Sequence, residues 1–211
     1  MFMKKLLHII ATPRGESSRT LKVSEAFLNQ FKKKYPNCEI DTLNVFSETL
    51  QDLTVKSLDG KYMLLIGKEL LEEHKIAWKD IIAHIERFLS ADAYLISTPM
   101  WNFSIPYQLK KYIDIIAQPK YLFRYTATGV EGLAKNKKMV IITSRGGDYS
   151  PGSPSQSYDH QEPYLRTIFG FVGITDIKFV IAQPMDALGP EIQKEKIELA
   201  KSIVIKVAND F

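Results

Sequence analysis

Near the start of the chain, the segment Thr12-Pro-Arg-Gly-Glu-Ser-Ser-Arg-Thr20 carries hydroxyls at Thr12, Ser17, Ser18 and Thr20. Arg14 and Arg19 stand among them, and a helical pattern follows directly. Free N–H groups at a helix start, joined by hydroxyl donors, are a common way to hold a phosphate monoester. A simple Ser/Thr helix cap, which needs one hydroxyl, is the alternative. Neither GxxxxGKS/T nor GxGxxG occurs here, so the segment is neither a nucleoside-triphosphate loop nor the dinucleotide fingerprint. A second segment, Asp92 to Gln108, passes from an apolar run through Pro99-Met100-Trp101-Asn102-Phe103 to Pro106. The loop has neither strand alternation nor helical spacing. Its indole and phenyl rings offer contact to a flat ring system, and Asn102 offers a hydrogen bond at that system's edge. A packed turn with no ligand is the competing reading. In the third segment, Ser144-Arg145-Gly146-Gly147 follows another apolar run. Glycines there let backbone N–H groups approach a ligand, though a Gly pair also serves a plain tight turn. A phosphate at one corner and a polar-edged aromatic plane at the other describe flavin mononucleotide (FMN).

Something must bring these segments together. Leu6 to Ala11 reads as a buried strand ended by Pro13 and Gly15, and Leu21 to Phe31 as a helix stopped by Pro36-Asn37. Glu39 to Phe46 alternates as a strand. Tyr62 to Leu89 is expected to form two helices broken near His74-Lys75. The strand Ala93 to Ser97 leads into the loop, and Tyr107 to Ala117 into a helix opened by Pro106. Pro119 to Leu133, with Gly129 and Gly132, is expected to be an excursion holding a small hairpin. Met139 to Thr143 is a fourth strand, and Arg145 to Asp159 a long surface loop. Pro163 to Phe171 is helical, Ile177 to Ala182 is a fifth strand, and Pro190 to Val207 closes the chain as a helix. This order implies an α/β fold, a five-stranded parallel sheet with helices on both faces, in a single domain over residues 1–211. Loops after the first, third and fourth strands then leave at the carboxyl edge, where the winding reverses.

Composition narrows the class. The chain has 211 residues, 45% hydrophobic and 25% charged, with net charge +4. That excess is mild, and the clusters Lys32-Lys33-Lys34 and Lys135 to Lys138 read as solvated helix-end and loop lysines rather than a nucleic-acid surface. Cys38 is the single cysteine, which excludes an internal disulfide and fits a reducing, cytoplasmic setting. No apolar run reaches a membrane span. His8 falls inside a strand as a core residue. His74, His84 and Glu86 are expected to be exposed on a helical stretch, not metal ligands. His160 is the one histidine to test as a proton donor, and no side chain is assigned as a catalytic acid.

The quoted segments also resemble, over essentially the whole chain, the FMN-dependent NADH-azoreductase family within the flavodoxin-like quinone reductases. Pro99-Met-Trp-Asn-Phe-Ser-Ile-Pro-Tyr-Gln-Leu-Lys-Lys-Tyr-Ile-Asp114, followed by Phe123-Arg-Tyr-Thr126 and Ser144-Arg-Gly-Gly147, carries the likeness most specifically. Thr12 to Thr20, Gly129 to Leu133 and Pro163 to Asp176 extend it. The resemblance implies a flavodoxin-like fold and a homodimer with one FMN per subunit near the interface. It also implies two-electron ping-pong reduction of quinones by NADH and reductive cleavage of aromatic azo compounds. The chemistry would be carried by FMN. Cofactor contacts would come from Thr12, Ser18, Arg19 and Thr20, from Pro99, Met100, Trp101, Asn102 and Phe103, and from Ser144, Arg145, Gly146 and Gly147. Tyr125, and Phe171 of the partner subunit, would cover the flavin or substrate. Thr12 and Thr20 stand where the family commonly has serine, and Trp101 where it commonly has tyrosine. A flavin-binding electron carrier or redox sensor without its own substrate is the alternative function. Carriers of this fold are usually strongly acidic, unlike this chain with its +4 charge.

Overall fold

The computed structural model describes residues 3–211. Five parallel strands form the main sheet: β1 (Lys5–Ile10), β2 (Glu39–Asn44), β3 (Ala93–Ser97), β6 (Lys138–Ser144) and β7 (Asp176–Ala182). Their spatial order is β2-β1-β3-β6-β7. The winding therefore reverses between β1 and β3, the position at which flavodoxin-like sheets hold their ligands. Register is continuous through the centre, with Ile9 opposite both Leu43 and Ile96.

Strand parity sorts side chains to two faces. Leu6, Ala93, Leu95, Val140 and Ile142 pack with Val23, Phe27, Ala200 and Val204 from α1 (Arg19–Lys34) and α6 (Gly189–Asp210). Their neighbours Leu7, Ile9, Tyr94, Ile96 and Ile141 face the other way. There they meet α3 (Glu72–Leu89), α4 (Tyr107–Ile116) and α5 (Gln161–Phe171) through Ile85, Phe88, Leu109, Ile113, Leu165 and Phe169. The expected excursion is a two-stranded antiparallel hairpin of β4 (Phe123–Thr126) and β5 (Gly129–Gly132), with Tyr125 opposite Val130. Among the described residues, no helix is long and apolar enough to cross a membrane.

Three expectations need correction. The break between the second and third helices is not at His74-Lys75. The helix α2 (Val55–Leu65) starts earlier than expected, with the Thr54 hydroxyl accepting from Ser57 N–H at 3.3 Å. It ends at Gly67, whose φ of +82° few other residues adopt. Gly67 N–H donates to Leu64 O and Lys68 N–H to Met63 O, a paired closure that satisfies the last carbonyls. His74 and His84, expected to be exposed, are buried; His84 meets the Tyr112 ring edge-on at 6.1 Å. Lys137 is not a solvated loop lysine either. Its ammonium donates to Leu89 O at 2.9 Å and to Ala91 O, closing the end of α3.

Candidate functional site

The first functional segment becomes a short turn and then the start of α1. Ser18 is its N-cap, with its hydroxyl accepting from Leu21 N–H at 3.4 Å. The remaining first-turn N–H groups have no partner within the helix, so the positive end of α1 opens toward the carboxyl edge of the sheet. Thr12 and Ser18 are both buried.

The second segment is a miniature hairpin. Trp101 N–H donates to Ser104 O and Ser104 N–H to Trp101 O, both at 2.9 Å. Asn102 and Phe103 form the tip, with φ of +46° and +69°. Two consecutive left-handed non-glycine residues are costly, and such strain collects in binding loops. Surrounding bonds hold the loop in place. Met100 N–H donates to Ser144 O at 3.0 Å, Gln161 Nε2 to Pro99 O at 2.9 Å, and His160 N–H to Phe103 O at 3.0 Å. The Trp101 indole packs against Phe46 at 5.6 Å, which fixes its plane.

The third segment closes the site. Thr20 Oγ1 and Ser144 Oγ are 2.7 Å apart, joining the first turn of α1 to the end of β6. A second buried chain lies beneath it, with His8 Nε2 at 2.8 Å from Ser97 Oγ and Ser97 Oγ at 2.6 Å from Ser24 Oγ. Burial alone pushes the His8 imidazole down to a pKa of about 4, so it is neutral near pH 7.

These loops enclose a hollow of about 190 Å³. Thr12, Ser18, Arg19, Pro99, Met100, Trp101, Ser144, Arg145 and Gly146 line it, as do Arg14, Met185 and Asp186. Thr20, Asn102, Phe103 and Gly147 do not line it. Thr20 is spent on Ser144, Phe103 packs against Tyr158 at 5.3 Å, and Gly147 lies beside Tyr149. Asn102 instead lines an adjoining hollow of about 450 Å³ with Trp101, Tyr107, Lys110 and Tyr164. Burial raises the Tyr164 phenol to about 12, which keeps its proton in place. Tyr125 is exposed on the hairpin, and Phe171 packs on Phe123 at 4.7 Å. Arg145 lines the wall but its guanidinium is turned away. It donates to Asp159 at 2.9 Å and to Gln161 at 3.1 Å, and is 1% exposed.

Met185 and Asp186 were absent from the sequence reading. They follow β7, whose loop leaves at the same edge of the sheet as the other three. Extending the carboxyl-edge rule to the fifth strand would have found them.

The donor set suits FMN. It combines a capped helix start, hydroxyls and guanidinium groups for a phosphate with an apolar Met100–Trp101 wall for a ring. Comparison with known proteins agrees. A family model described as "Flavodoxin-like fold" matches residues 4–206. An "FMN-dependent NADH:quinone oxidoreductase" of Nitratidesulfovibrio vulgaris is 35% identical over 99% of this chain and 100% of its own length. A Clostridium perfringens protein named "FMN-dependent NADH:quinone oxidoreductase 2" is 40% identical, again over 99% and 100%. The solved structure of an FMN-dependent NADH-azoreductase from Bacillus anthracis in complex with FMN superposes with a TM-score of 0.84 at 30% identity. That match covers 98% of this chain and 100% of the other. By fold, by sequence and by the make-up of its carboxyl-edge hollow, this chain belongs to the flavodoxin-like family that includes the FMN-dependent NADH:quinone oxidoreductases.

Proposed function

We infer that this chain is an FMN-dependent NADH:quinone oxidoreductase that also cleaves aromatic azo compounds. The observation that carries the reading is the shared hollow, in which Thr12, Ser18 and Arg19 face Met100, Trp101, Ser144 and Gly146. FMN held there would supply two-electron redox chemistry between NADH and a quinone or azo acceptor, in a ping-pong exchange.

The residues of the chain bind and orient. Ser18, Thr12 and the Arg19 guanidinium would hold the phosphate, assisted by the N–H groups of the first turn of α1. Met100 and Trp101 would wall the ring, and Trp101, braced by Phe46, cannot tilt without disturbing its packing. N–H groups near Gly146 and the amide of Asn102 would meet the polar edges of the ring, where they favour a negative charge that grows on reduction. The adjoining hollow beside Tyr107 and Tyr164 offers aromatic surface for a planar acceptor.

The finer assembly belongs to the same proposal. A homodimer would place a second subunit over the exposed Tyr107, Tyr125 and Phe103, which are 66%, 63% and 46% exposed. The chain would act as one domain, in the cytoplasm, with Tyr125 and Phe171 of the partner subunit near the acceptor.

Purified protein loaded with FMN is expected to be yellow and to consume NADH only when benzoquinone is supplied. Ser18→Ala should raise the FMN dissociation constant about tenfold while leaving riboflavin binding within about twofold, because only FMN carries the phosphate. Protein that fails to take up FMN overturns the reading.

A further inference from the structure

The hollow contains a charge that the phosphate reading does not call for. Asp186 lines it beside the phosphate donor Arg19, and its Oδ1 accepts from Arg19 Nη1 at 2.6 Å, across 167 positions of sequence. Backbone bonds also hold the loop. Asp186 N–H already donates to Gly146 O at 3.0 Å, and Met185 N–H to Arg145 O at 2.9 Å. Glycine at 146 leaves the carboxylate room at this position, since a Cβ there would stand 2.9 Å from Asp186 Oδ2. Of the three arginines on the wall, Arg145 is committed to Asp159. Arg19 is thus one of two cations facing the hollow, and Asp186 neutralises it.

A guanidinium takes a carboxylate and a phosphate monoester through the same fork of N–H donors. The two anions therefore compete for Arg19 and repel one another. We propose that Asp186 competes with the flavin phosphate for Arg19 and thereby sets how tightly the protein holds FMN. The proposal rests on the flavin reading above. Its consequence is a phosphate anchor weaker than the donor set alone would provide, and hence a cofactor that exchanges more readily. A unit charge several ångströms from a phosphate, in a partly solvated hollow, amounts to about tenfold in affinity.

The test compares wild-type protein with Asp186→Asn and Asp186→Ser by quenching of flavin fluorescence. FMN and riboflavin are the ligands, and inorganic phosphate is the competitor. Both variants are expected to bind FMN about tenfold more tightly, riboflavin within about twofold of wild type, and phosphate more tightly. FMN affinity that is unchanged or weaker in the variants, with riboflavin binding intact, overturns the proposal and makes Asp186 an orienting partner of Arg19. Loss of riboflavin binding in both variants overturns it as well, because the carboxylate would then be a requirement of the fold. Wild-type protein that binds no FMN removes the flavin reading itself, an outcome distinct from the other two.

Discussion

Thr20 Oγ1 lies 2.7 Å from Ser144 Oγ, so two residues 124 positions apart tie the first turn of α1 to the end of β6. The bond joins the phosphate side of the hollow to the glycine side, and Thr20 is 1% exposed. Thr20→Val keeps the shape, deletes the hydroxyl and leaves Ser144 without its partner. The expected cost is about 1–2 kcal/mol, or a few degrees in melting temperature for a chain of this size. FMN binding should weaken several-fold, as measured by fluorescence titration.

Burial of His8 makes stability depend on pH. Its folded pKa of about 4 lies below the ordinary value of 6.5. Between those values the unfolded chain takes up a proton that the folded chain refuses. The contribution is therefore fully present above about pH 6.5 and is lost as pH falls toward 4, by about 3 kcal/mol at most. Urea unfolding of wild type against His8→Gln should show a smaller fall between pH 7 and pH 4.5 in the variant. Parallel curves would refute the assignment.

Asn102 sits at a φ of +46° in the loop that walls the hollows. Glycine accepts that conformation and a β-branched residue does not. Asn102→Gly should hold stability within about 0.5 kcal/mol, whereas Asn102→Val should lose about 1–3 kcal/mol. Both delete the amide, so a fall in NADH turnover shared by the two variants measures the amide, and any additional fall in Asn102→Val measures the backbone.

Arg145 separates a binding role from a bracing one. Its guanidinium is buried against Asp159 and Gln161, with Asp159 at 2.9 Å. Arg145→Met strands the Asp159 carboxylate and should cost about 3 kcal/mol in urea unfolding. FMN affinity, read at low temperature where the variant is folded, should stay within about threefold. A large loss of affinity with little loss of stability would mean that Arg145 holds the cofactor after all.

The alternation of strand and helix, the hairpin of β4 and β5, and the loops at the carboxyl edge were legible because each is written in local periodicity and turn chemistry. Ser18 could be recognised as a donor because a helix cap is defined by its immediate neighbours. The earlier start of α2 and its stop at Gly67 were harder to see, since Val55 to Lys61 lacks a clear apolar stripe. The burial of His74 and His84 was hidden for a different reason. Whether a polar ring on a helix faces water or core depends on the helix that packs against it.

Sequence alone determined the doubly wound architecture and the chemical character of three of the loops, because strand parity, helical spacing and hydroxyl content are properties of short stretches. Tertiary structure decided which of those side chains reach the hollow. It turned Arg145 toward Asp159, spent Thr20 on Ser144, and brought Asp186 from beyond β7 to meet Arg19. Charge pairing and burial act through space, and Arg19 and Asp186 lie 167 positions apart, so no local pattern could announce their encounter.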